Sequence, residues 1–400
     1  MKVLQLCHKI PFPASDGGTI AMNNITQGLL SAGHQVKILA IETPKHPLKS
    51  GELFENYKTT VDFESVFIDT TPSFYSALTA VFNGKSYQVS RFYSKEFAQK
   101  LVHTLQADFD IVHLESIFMT PYIATIRQHS KAKIVLRTHN IEHQIWDRIV
   151  RNERNLFKKI ARRYFARQLK HYECGIKNKI DAFAAISQPD FQFFTECYHG
   201  VLGTVIPFGV NLDDYPENEN FIPSDTPELF HVGSMNWLPN VEGIAWFLDD
   251  VWPLIVQQYP EVTFTIAGRA IPSEISKRKD LNVKIIGEVP SANDFMLQKD
   301  IMIVPLLSGS GIRVKIIEGM ALGKTIITTS IGAEGLAVED GKHLLIANTP
   351  EEFVAAVTKC VNTPDLCAII GENARNFVAL HHNNELITKK LVDFYSSLLK

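Results

Sequence analysis

Residues 301–324 read IMIVPLLSGSGIRVKIIEGMALGK, and this segment decides the fold class. It opens with an apolar run that does not alternate with polar residues, as is typical of a strand covered on both faces. Gly309 and Gly311 then open a turn, and we predict that a helix begins near Gly311 or Ile312. A strand, a glycine-rich turn and a helix in this order form the repeating unit of an α/β protein with a parallel sheet.

Short apolar runs alternate with helix-like segments along the rest of the chain, so the same unit recurs in both halves. In the first half we predict strands at residues 2–7, 35–41, 64–68, 111–114, 133–137 and 182–186. In the second half we predict strands at residues 229–232, 262–267, 283–286, 301–305, 325–329 and 343–347. The predicted fold class is α/β, with two doubly wound Rossmann-like sheets.

Residues 207–228 separate the two series of strands. They are rich in Asp, Glu, Asn and Pro, which predicts a linker. We therefore expect a first domain at residues 1–206, a second domain at residues 229–380 and a last helix at residues 381–400. Two doubly wound domains place a cleft between the carboxyl ends of their sheets, where ligands bind in such folds.

Composition and cysteine spacing argue against other classes of protein. The chain has 400 residues, of which 45% are hydrophobic and 21% charged, as in an ordinary globular protein. No stretch approaches the ~20 apolar residues that span a bilayer, and the first apolar run is too short for a signal peptide. Five cysteines without a CxxC pair argue against a disulfide framework or a structural zinc site. We expect a cytoplasmic protein with buried or inert thiols.

The two halves differ in charge, which is typical of domains with different partners. Residues 1–205 contain 25 Lys and Arg against 18 Asp and Glu, whereas residues 206–400 contain 15 against 25. Eleven basic residues and only two acids lie within residues 148–179. Six apolar residues recur there at helical spacing: Leu156, Phe157, Ile160, Tyr164, Phe165 and Leu169.

This basic segment predicts an amphipathic helix or helix pair whose apolar stripe packs on the core of the first domain. The alternative is peripheral contact of residues 148–179 with an anionic membrane at its inner face, or contact with a lipid-linked diphosphate acceptor. No module of stacking aromatic and basic residues accompanies the run, which argues against nucleic acid as a partner.

The turn after the strand at 301–305 suits an anionic ligand. A helix N-terminus offers free N–H groups and a positive dipole end, and Arg313 and Lys315 add two cations to a diphosphate site there. Glu318, about one turn further, is placed to accept hydrogen bonds from vicinal hydroxyls such as those of a ribose. The alternative is a glycine-rich turn followed by a solvated helix. Residues 319–325 are not a P-loop, because only three residues separate their glycines, and no strand-to-helix GxGxxG is present.

Residues 305–335, which include SGIRVKIIEGMALG at 310–323, closely resemble glycosyltransferase family 4, a family of retaining enzymes of GT-B fold. Further matches follow in the expected order: PFP at 11–13 with Gly17-Gly18, RTHNIE at 137–142, PFGVN at 207–211, and VGSMNW at 232–237 with PN at 239–240. The resemblance implies two Rossmann-like domains facing across a cleft, with the last helix crossing back onto the first domain. It also implies glycosyl transfer from a nucleoside-diphosphate sugar to a glycan or lipid-linked acceptor, as in cell-surface polysaccharide or glycoconjugate synthesis.

The same resemblance implies roles for individual residues. His139 would contact the donor sugar near the reacting carbon, while Arg313 and Lys315 would neutralise the leaving diphosphate. Glu318 would hold the donor ribose. The other implied donor-binding positions are Gly17 and Gly18 in the first loop of the first domain, then Ser234, Val289, Ser310, Gly311 and Ile312. His113, near a strand end, is interpreted as structural.

Two motifs depart from the usual pattern of the family. Many members carry an EX7E pattern, and here Ser310 stands in place of its first glutamate, eight positions before Glu318. Many also have Val-Gly-Arg followed by Lys-Gly, where this chain has Ser234 and Glu242. We expect Arg313 and Lys315 to supply the missing positive charge.

The resemblance implies a reaction without a metal or other cofactor, because GT-B enzymes use cations and helix dipoles to stabilise the departing diphosphate. The acidic pairs Asp213-Asp214 and Asp249-Asp250 are interpreted as solvated surface groups. Two alternatives stay open. A nonhydrolysing sugar-nucleotide epimerase of the same fold would need an acid/base pair that the sequence does not reveal. A catalytically silent nucleotide-sugar-binding protein would explain the serines at 234 and 310.

Overall fold

The chain folds into two compact units. The computed structural model describes residues 1–14, 16–48, 51–71, 73, 86–153, 155–216, 226–309 and 311–400. The first unit comprises Met1–Gly209 and Asn384–Lys400, and the second comprises Val210–Asn383. Ser310 and residues 217–225 of the predicted linker lie outside the described residues.

The first unit is built on a parallel sheet of seven strands in the order β3-β2-β1-β4-β5-β6-β7. The strands are β1 Lys2–Cys7, β2 Gln35–Glu42, β3 Asp62–Phe67, β4 Ile111–Glu115, β5 Lys133–Thr138, β6 Ala182–Ala185 and β7 Leu202–Val205. The helices are α1 Gly17–Ser31, α2 Glu52–Thr60, α3 Tyr87–Ser90, α4 Lys95–Thr104, α5 Ile123–His129, α6 Glu142–Asn152, α7 Leu156–Gly175 and α8 Gln188–Cys197. Short 3-10 helices cover Ile117–Tyr122 and Ile176–Asn178.

The second unit repeats the plan with six parallel strands in the order β10-β9-β8-β11-β12-β13. The strands are β8 Glu228–Val232, β9 Thr263–Ala267, β10 Val283–Gly287, β11 Ile301–Val304, β12 Thr325–Thr328 and β13 Leu345–Ile346. The helices are α9 Leu238–Trp246, α10 Trp252–Gln258, α11 Ser273–Ser276, α12 Ala292–Leu297, α13 Val314–Ala321, α14 Pro350–Asn362 and α15 Pro364–His381. A 3-10 helix covers Leu212–Asp214, and a π-helical turn, Phe247–Val251, joins α9 to α10.

Both sheets are covered by helices, and this explains their apolar strands. In β4, Ile111 belongs to the apolar cluster on one face, while Val112 and Leu114 belong to the cluster on the other. Each fully buried side chain of this kind stabilises the fold by roughly 1.5–3 kcal/mol. The predicted α/β class with two doubly wound sheets is confirmed.

The last helix, α16 (Asn384–Leu399), packs against α1 in the first unit. The side-chain amide of Asn384, the first residue of α16, donates a hydrogen bond to the carbonyl of Asn24 (2.9 Å). A Cβ on Gly28 would lie 2.0 Å from the hydroxyl oxygen of Thr388. The glycine in α1 therefore allows the two helices to approach closely.

Two sequence expectations about this fold are corrected. Cys174 and Cys197 form a disulfide, with their Cα atoms 5.0 Å apart, where we expected inert thiols. The ends of α7 and α8 bring these cysteines together although 23 positions separate them in the sequence. Strand β7 is absent from the prediction because its residues, LGTV, form a short edge strand that is only partly buried.

Candidate active site

Each sheet has a topological switch point, where the strand order reverses. In the first sheet the reversal lies between β1 and β4, and in the second it lies between β8 and β11. The crevice outside the carboxyl ends of the strands at such a point is the usual ligand site of a doubly wound fold. Most of the predicted site residues follow these strands or their immediate neighbours.

At the switch point of the first sheet, the buried carboxylate of Glu115 is the centre of a polar cluster. Glu115 ends β4, and its Oε2 lies 2.6 Å from His139 Nε2, on the residue that follows β5. Its Oε1 accepts a hydrogen bond from the amide of Gln5 (2.8 Å) and lies 3.3 Å from His113 Nε2 and 3.7 Å from Arg137 Nη1. Three adjacent strands therefore fix the position of His139.

Charges within this cluster set the protonation states. Burial alone would raise the pKa of Glu115, but Arg137, His113 and His139 outweigh it and hold the pKa well below its usual range. Burial lowers the pKa of His139, against the opposing effect of Glu115. Glu115 is thus ionised and accepts the Nε2–H of a neutral His139, which leaves Nδ1 as a hydrogen-bond acceptor.

The segment after His139 is anchored from α7. The carboxylate of Glu173 accepts hydrogen bonds from the backbone N–H of Glu142 (2.9 Å) and from Nδ1 of His143 (2.6 Å). Burial, with Glu173 nearby, raises the pKa of Glu142 to about 7. The start of α6 is thereby fixed directly beyond the imidazole of His139.

Gly17 and Gly18 do not form a loop before the helix, as we expected, because they are the first two residues of α1. Asp16 caps this helix, and its carboxylate accepts hydrogen bonds from the backbone N–H of Gly18 (2.9 Å) and Thr19 (3.0 Å). Lys9 forms an ion pair with the same carboxylate at 2.6 Å. Two N–H groups at this helix end therefore already have a protein anion, and Lys9 is the cation beside them.

His113 agrees with the structural interpretation. It is fully buried, and the hydroxyl of Tyr395, on α16, is hydrogen-bonded to its Nδ1. Its Nε2 faces Glu115. The imidazole thus connects the last helix to the cluster around His139.

In the second unit, helix α13 begins later than predicted, at Val314 rather than near Gly311 or Ile312. Gly309 and Gly311 have φ angles of +121° and +79°, and Arg313 is in an extended conformation. Helical backbone geometry therefore starts only after Arg313. Among the described residues, no side-chain hydrogen bond caps this end of α13, which follows β11 at the switch point.

Arg313 is buried and held against the turn that follows β8. Its guanidinium lies 5.3 Å from the ring centroid of Trp237 and donates hydrogen bonds to the carbonyls of Gly311 and Ile331. A Cβ on Gly309 would lie 3.0 Å from both the guanidinium and the indole. A glycine at 309 therefore leaves room for this cation–π stack.

Lys315 connects the two sides of the second switch point. Its Nζ donates to Oδ1 of Asn240, on α9, at 2.8 Å and lies 3.4 Å from Nε2 of His231, on β8. The ring of His231 donates from Nδ1 to the carbonyl of Ile303 (2.8 Å), so its Nε2 is an acceptor. Burial, with Arg313 nearby, lowers the pKa of Lys315 to about 7.

Glu318 lies one turn further along α13. One of its carboxylate oxygens accepts a hydrogen bond from the hydroxyl of Tyr215 (3.1 Å), and burial raises its pKa. Arg375 donates to the backbone carbonyl of Tyr215 (2.7 Å) and so fixes the segment that carries this hydroxyl. The carboxylate is positioned by residues distant in sequence.

The remaining predicted positions differ in where they lie. Ser234 and Ile312 are at the second switch point, where the carbonyl of Ser234 accepts a hydrogen bond from the side chain of Asn240 (2.8 Å). Val289 follows the edge strand β10, which β9 and β8 separate from β11. Ser310 lies outside the described residues.

Comparison with known proteins identifies the family. The sequence model described as Glycosyltransferase Family 4 matches residues 15–214, and the one described as Glycosyl transferases group 1 matches residues 226–363. The chain belongs to glycosyltransferase family 4. It is a glycosyltransferase, as the resemblance of its motifs implied.

Three proteins similar to this chain cover different shares of it. An uncharacterized 44.6 kDa protein in the cps region of Klebsiella pneumoniae is 25% identical over 396 residues, or 96% of this chain and 97% of that protein. The phosphatidyl-myo-inositol mannosyltransferase of Mycobacterium tuberculosis is 25% identical over 161 residues, or 38% of this chain and 42% of that protein. The crystal structure of Anabaena HepE in complex with UDP covers 99% of this chain and 100% of its own, with a TM-score of 0.67 and 16% identity. The structural likeness shows that the fold is GT-B.

The basic segment of this family 4 enzyme forms a helix pair, α6 and α7, but its apolar stripe does not all pack on the core. Leu156, Phe157 and Ile160 are 72%, 86% and 70% exposed, and Tyr164 is 44% exposed. The expectation of a core-packed stripe is therefore wrong for the first half of α7. The buried face of α7 consists of Ala166, Leu169 and Glu173, which lie roughly opposite the exposed residues at about 100° per residue.

Two further expectations concern the acidic pairs and membrane-spanning helices. Asp213, Asp214, Asp249 and Asp250 are exposed, as interpreted from the sequence. Among the helices of the described residues, none is by itself long and apolar enough to span a membrane, although the bent pair α14 and α15 meets those criteria when joined.

Sequence reasoning did not identify several residues that this site contains. His8, Glu115, Asn240, His231 and Tyr215 all contact predicted site residues or their partners. The signal that could have found the first two is their position, because each is a polar residue at the carboxyl end of an apolar strand. Asn240 and Tyr215 are brought to the site by long-range packing.

Proposed function

We propose that this glycosyltransferase moves a hexosyl or related glycosyl group from a nucleoside-diphosphate sugar to a glycan or lipid-linked acceptor, with retention of anomeric configuration. The observation that carries the proposal is the pair of cations at the second switch point, of which Arg313 is buried and Lys315 is partly buried. Arg313 and Lys315 both reach from the start of α13 to the turn after β8. A diphosphate at this point would meet two cations and the N–H groups of a helix end.

The roles of the individual residues follow from chemistry and position. Lys315 and Arg313 stabilise the negative charge that develops on the departing nucleoside diphosphate, usually the largest electrostatic contribution to such catalysis. Glu318 accepts hydrogen bonds from the ribose. The hydrogen bond from Tyr215 orients its carboxylate for this role. Gly311 and Ile312 lie in the turn before α13, to which Ser310 belongs by sequence, and Ser234 lies in the turn after β8. Val289, which follows the edge strand β10, is assigned to the base.

In the first unit, His139 contacts the transferred sugar, with Gly17 and Gly18 near the diphosphate. The proposed reaction uses Arg313, Lys315 and helix N–H groups instead of a metal ion or other cofactor. Transfer should then persist in excess EDTA. If EDTA abolishes transfer and added Mg²⁺ or Mn²⁺ restores it, the reaction is not independent of metal.

In this proposal the first unit binds the acceptor, and its helix α7 contacts the membrane surface. Leu156, Ile160 and Tyr164 are four residues apart and form an exposed ridge on α7, with Phe157 beside it. At about 100° per residue, Arg163 and Arg167 lie beside this ridge. An apolar ridge bordered by cations fits the surface of an anionic lipid bilayer, and one similar protein has a name that states a phosphatidyl-myo-inositol substrate.

The experiment that tests the function is thermal denaturation with UDP, GDP, ADP, CDP and dTDP. A ligand that binds only the folded state stabilises it by about 2.7 kcal/mol at 100 times its Kd. The UDP complex of Anabaena HepE makes UDP the first candidate. If one nucleotide stabilises the wild type selectively and no longer stabilises Glu318→Ala, the result supports the donor site. If Glu318→Ala binds that nucleotide with wild-type affinity, the role of Glu318 is contradicted.

Product analysis then tests the reaction. The matching nucleotide sugar is incubated with protein and with candidate glycan or polyprenyl-diphosphate acceptors, and the anomeric configuration of the product is determined by NMR. Nucleotide binding without turnover on any acceptor would favour the silent binding protein. Conversion of the donor sugar without an acceptor would favour the epimerase.

A further inference from the structure

His8, which the sequence analysis did not identify, lies at the first switch point beside His139. It follows β1 directly, and the centroids of the two imidazole rings are 6.0 Å apart with an interplanar angle of 73°. Both side chains are partly exposed. Phe118 and Phe92 border the ring of His8 at centroid distances of 5.8 Å and 6.5 Å. The ring is thus held in a fixed orientation by aromatic neighbours.

One residue, Glu115, fixes the tautomers of both histidines. Its backbone carbonyl lies 2.8 Å from His8 Nδ1, and its carboxylate lies 2.6 Å from His139 Nε2. A carbonyl and a carboxylate can only accept, so His8 must carry its proton on Nδ1 and His139 on Nε2. Within the described part of the chain, no hydrogen-bond partner contacts the second ring nitrogen of either histidine, namely Nε2 of His8 and Nδ1 of His139.

Neither imidazole is positively charged at neutral pH. Burial, together with Lys9 and His139, lowers the pKa of His8 to about 3, and burial also lowers the pKa of His139. A neutral ring nitrogen without a proton offers a lone pair. It accepts a hydrogen bond from a hydroxyl group and repels the anionic oxygens of a phosphate.

We propose that His8 is a second hydrogen-bond acceptor beside His139 and binds a hydroxyl group of a sugar ring in the first unit. The inference rests on the proposed function and deepens it, because it assigns this side of the reaction to recognition of hydroxyls and leaves the diphosphate to Arg313 and Lys315. A site that accepts hydrogen bonds from substrate hydroxyls discriminates strongly against analogues that lack them. The pair therefore contributes to sugar specificity.

Three substitutions at one position test the role of His8. Phe keeps an aromatic ring against Phe92 and Phe118 but has no acceptor. Gln places its side-chain oxygen near the position of Nε2, whereas Asn reaches only the position of Nδ1. We expect His8→Phe and His8→Asn to raise KM for the sugar substrate by about 3- to 10-fold, with His8→Gln closer to wild type and UDP affinity unchanged in all three.

Kinetic and calorimetric readouts separate the two sources of hydroxyls. The affinities of UDP and UDP-glucose are compared by titration calorimetry, and the KM values of donor and acceptor are measured separately. A reduced advantage of UDP-glucose over UDP in His8→Phe assigns the pair to the transferred sugar, and a change confined to the acceptor KM assigns it to the acceptor. If wild type binds nucleotide and transfers sugar but all three variants have wild-type KM values, the inference is wrong. If wild type binds no nucleotide, the proposed function itself has failed.

A second measurement does not depend on activity. In protein labelled with ¹⁵N-histidine, signals are assigned by comparison with His8→Asn and His139→Asn. We expect neutral rings at pH 7, protonated on Nδ1 for His8 and on Nε2 for His139. A charged ring or the opposite tautomer at either position would overturn the inference.

Discussion

The pH dependence of nucleotide binding should report directly on Lys315. Burial and the nearby guanidinium of Arg313 lower the pKa of its ammonium to about 7. The other groups that face it are Glu318, which opposes the shift, and the neutral side chains of His231 and Asn240. In the unliganded protein near neutral pH, about half of the molecules would therefore carry an uncharged Lys315.

A bound diphosphate reverses this balance. Its negative charge stabilises the ammonium, so the pKa of Lys315 rises and the complex takes up a proton. With a free pKa of about 7, uptake should be about 0.5 proton per nucleotide at pH 7. Affinity is greatest below pH 7 and decreases as the pH rises, by about tenfold between pH 6 and pH 8 if the pKa in the complex stays above 8.

The assay is titration calorimetry with UDP at several pH values and in buffers of different ionisation enthalpy. Lys315→Met is the matched variant, because it keeps a long apolar stem and cannot titrate. It should bind UDP weakly, without the tenfold decrease and without the proton uptake. The phosphate of UDP also titrates, and the slope measured in the variant corrects for it. Equal pH slopes and equal proton uptake in wild type and Lys315→Met would refute the reasoning.

Two further predictions concern the first unit. Glu115→Gln leaves the buried guanidinium of Arg137 without a carboxylate, and we expect a loss of about 3–5 kcal/mol in the free energy of unfolding at pH 7, measured by urea denaturation. Because the pKa of Glu115 is depressed in the folded state, the difference should shrink as the pH falls below about 4.5, and a constant difference would contradict it. Replacing Phe157 and Ile160 with Ser should reduce flotation with anionic phosphatidylglycerol vesicles by about tenfold, with little effect on stability. Leu281→Ser, which removes an exposed leucine elsewhere, is the control, and equal flotation of all proteins would argue against the membrane surface.

Sequence patterns predicted the strands well because their cause is local. A strand of a doubly covered sheet needs an unbroken apolar run, and Ile301–Val304 displays it directly. The beginnings of α1 and α13 were harder to place. They depend on the carboxylate of Asp16 and on the positive φ angles of Gly309 and Gly311, which no apolar pattern encodes.

The polar partners of the site could not be predicted for a different reason. Glu115 meets His139 because β4 and β5 are neighbours in the sheet, and Lys315 meets Asn240 across 75 positions of sequence. The disulfide between Cys174 and Cys197 likewise forms only because the C-terminal ends of α7 and α8 are close together. Contacts of this kind follow from the topology of the whole unit, so they become visible only when the sheet order is known.

The departure at Ser234 has a geometric counterpart in the position of Lys315. A Cβ on Gly233 would lie 2.8 Å from Nζ of Lys315, so this ammonium reaches the turn where many family members place an arginine. A cation supplied from α13 would make a cation at 234 unnecessary. We therefore expect Ser234→Arg to restore UDP affinity to Lys315→Met by about tenfold, through a charge-assisted hydrogen bond of about 1.5 kcal/mol. In the wild-type background it should add little, because two cations would then compete for one space. The comparison needs UDP titration of the single and double variants. An equal effect of Ser234→Arg in both backgrounds would show that the two positions act independently, and the proposed exchange of cations would then be wrong.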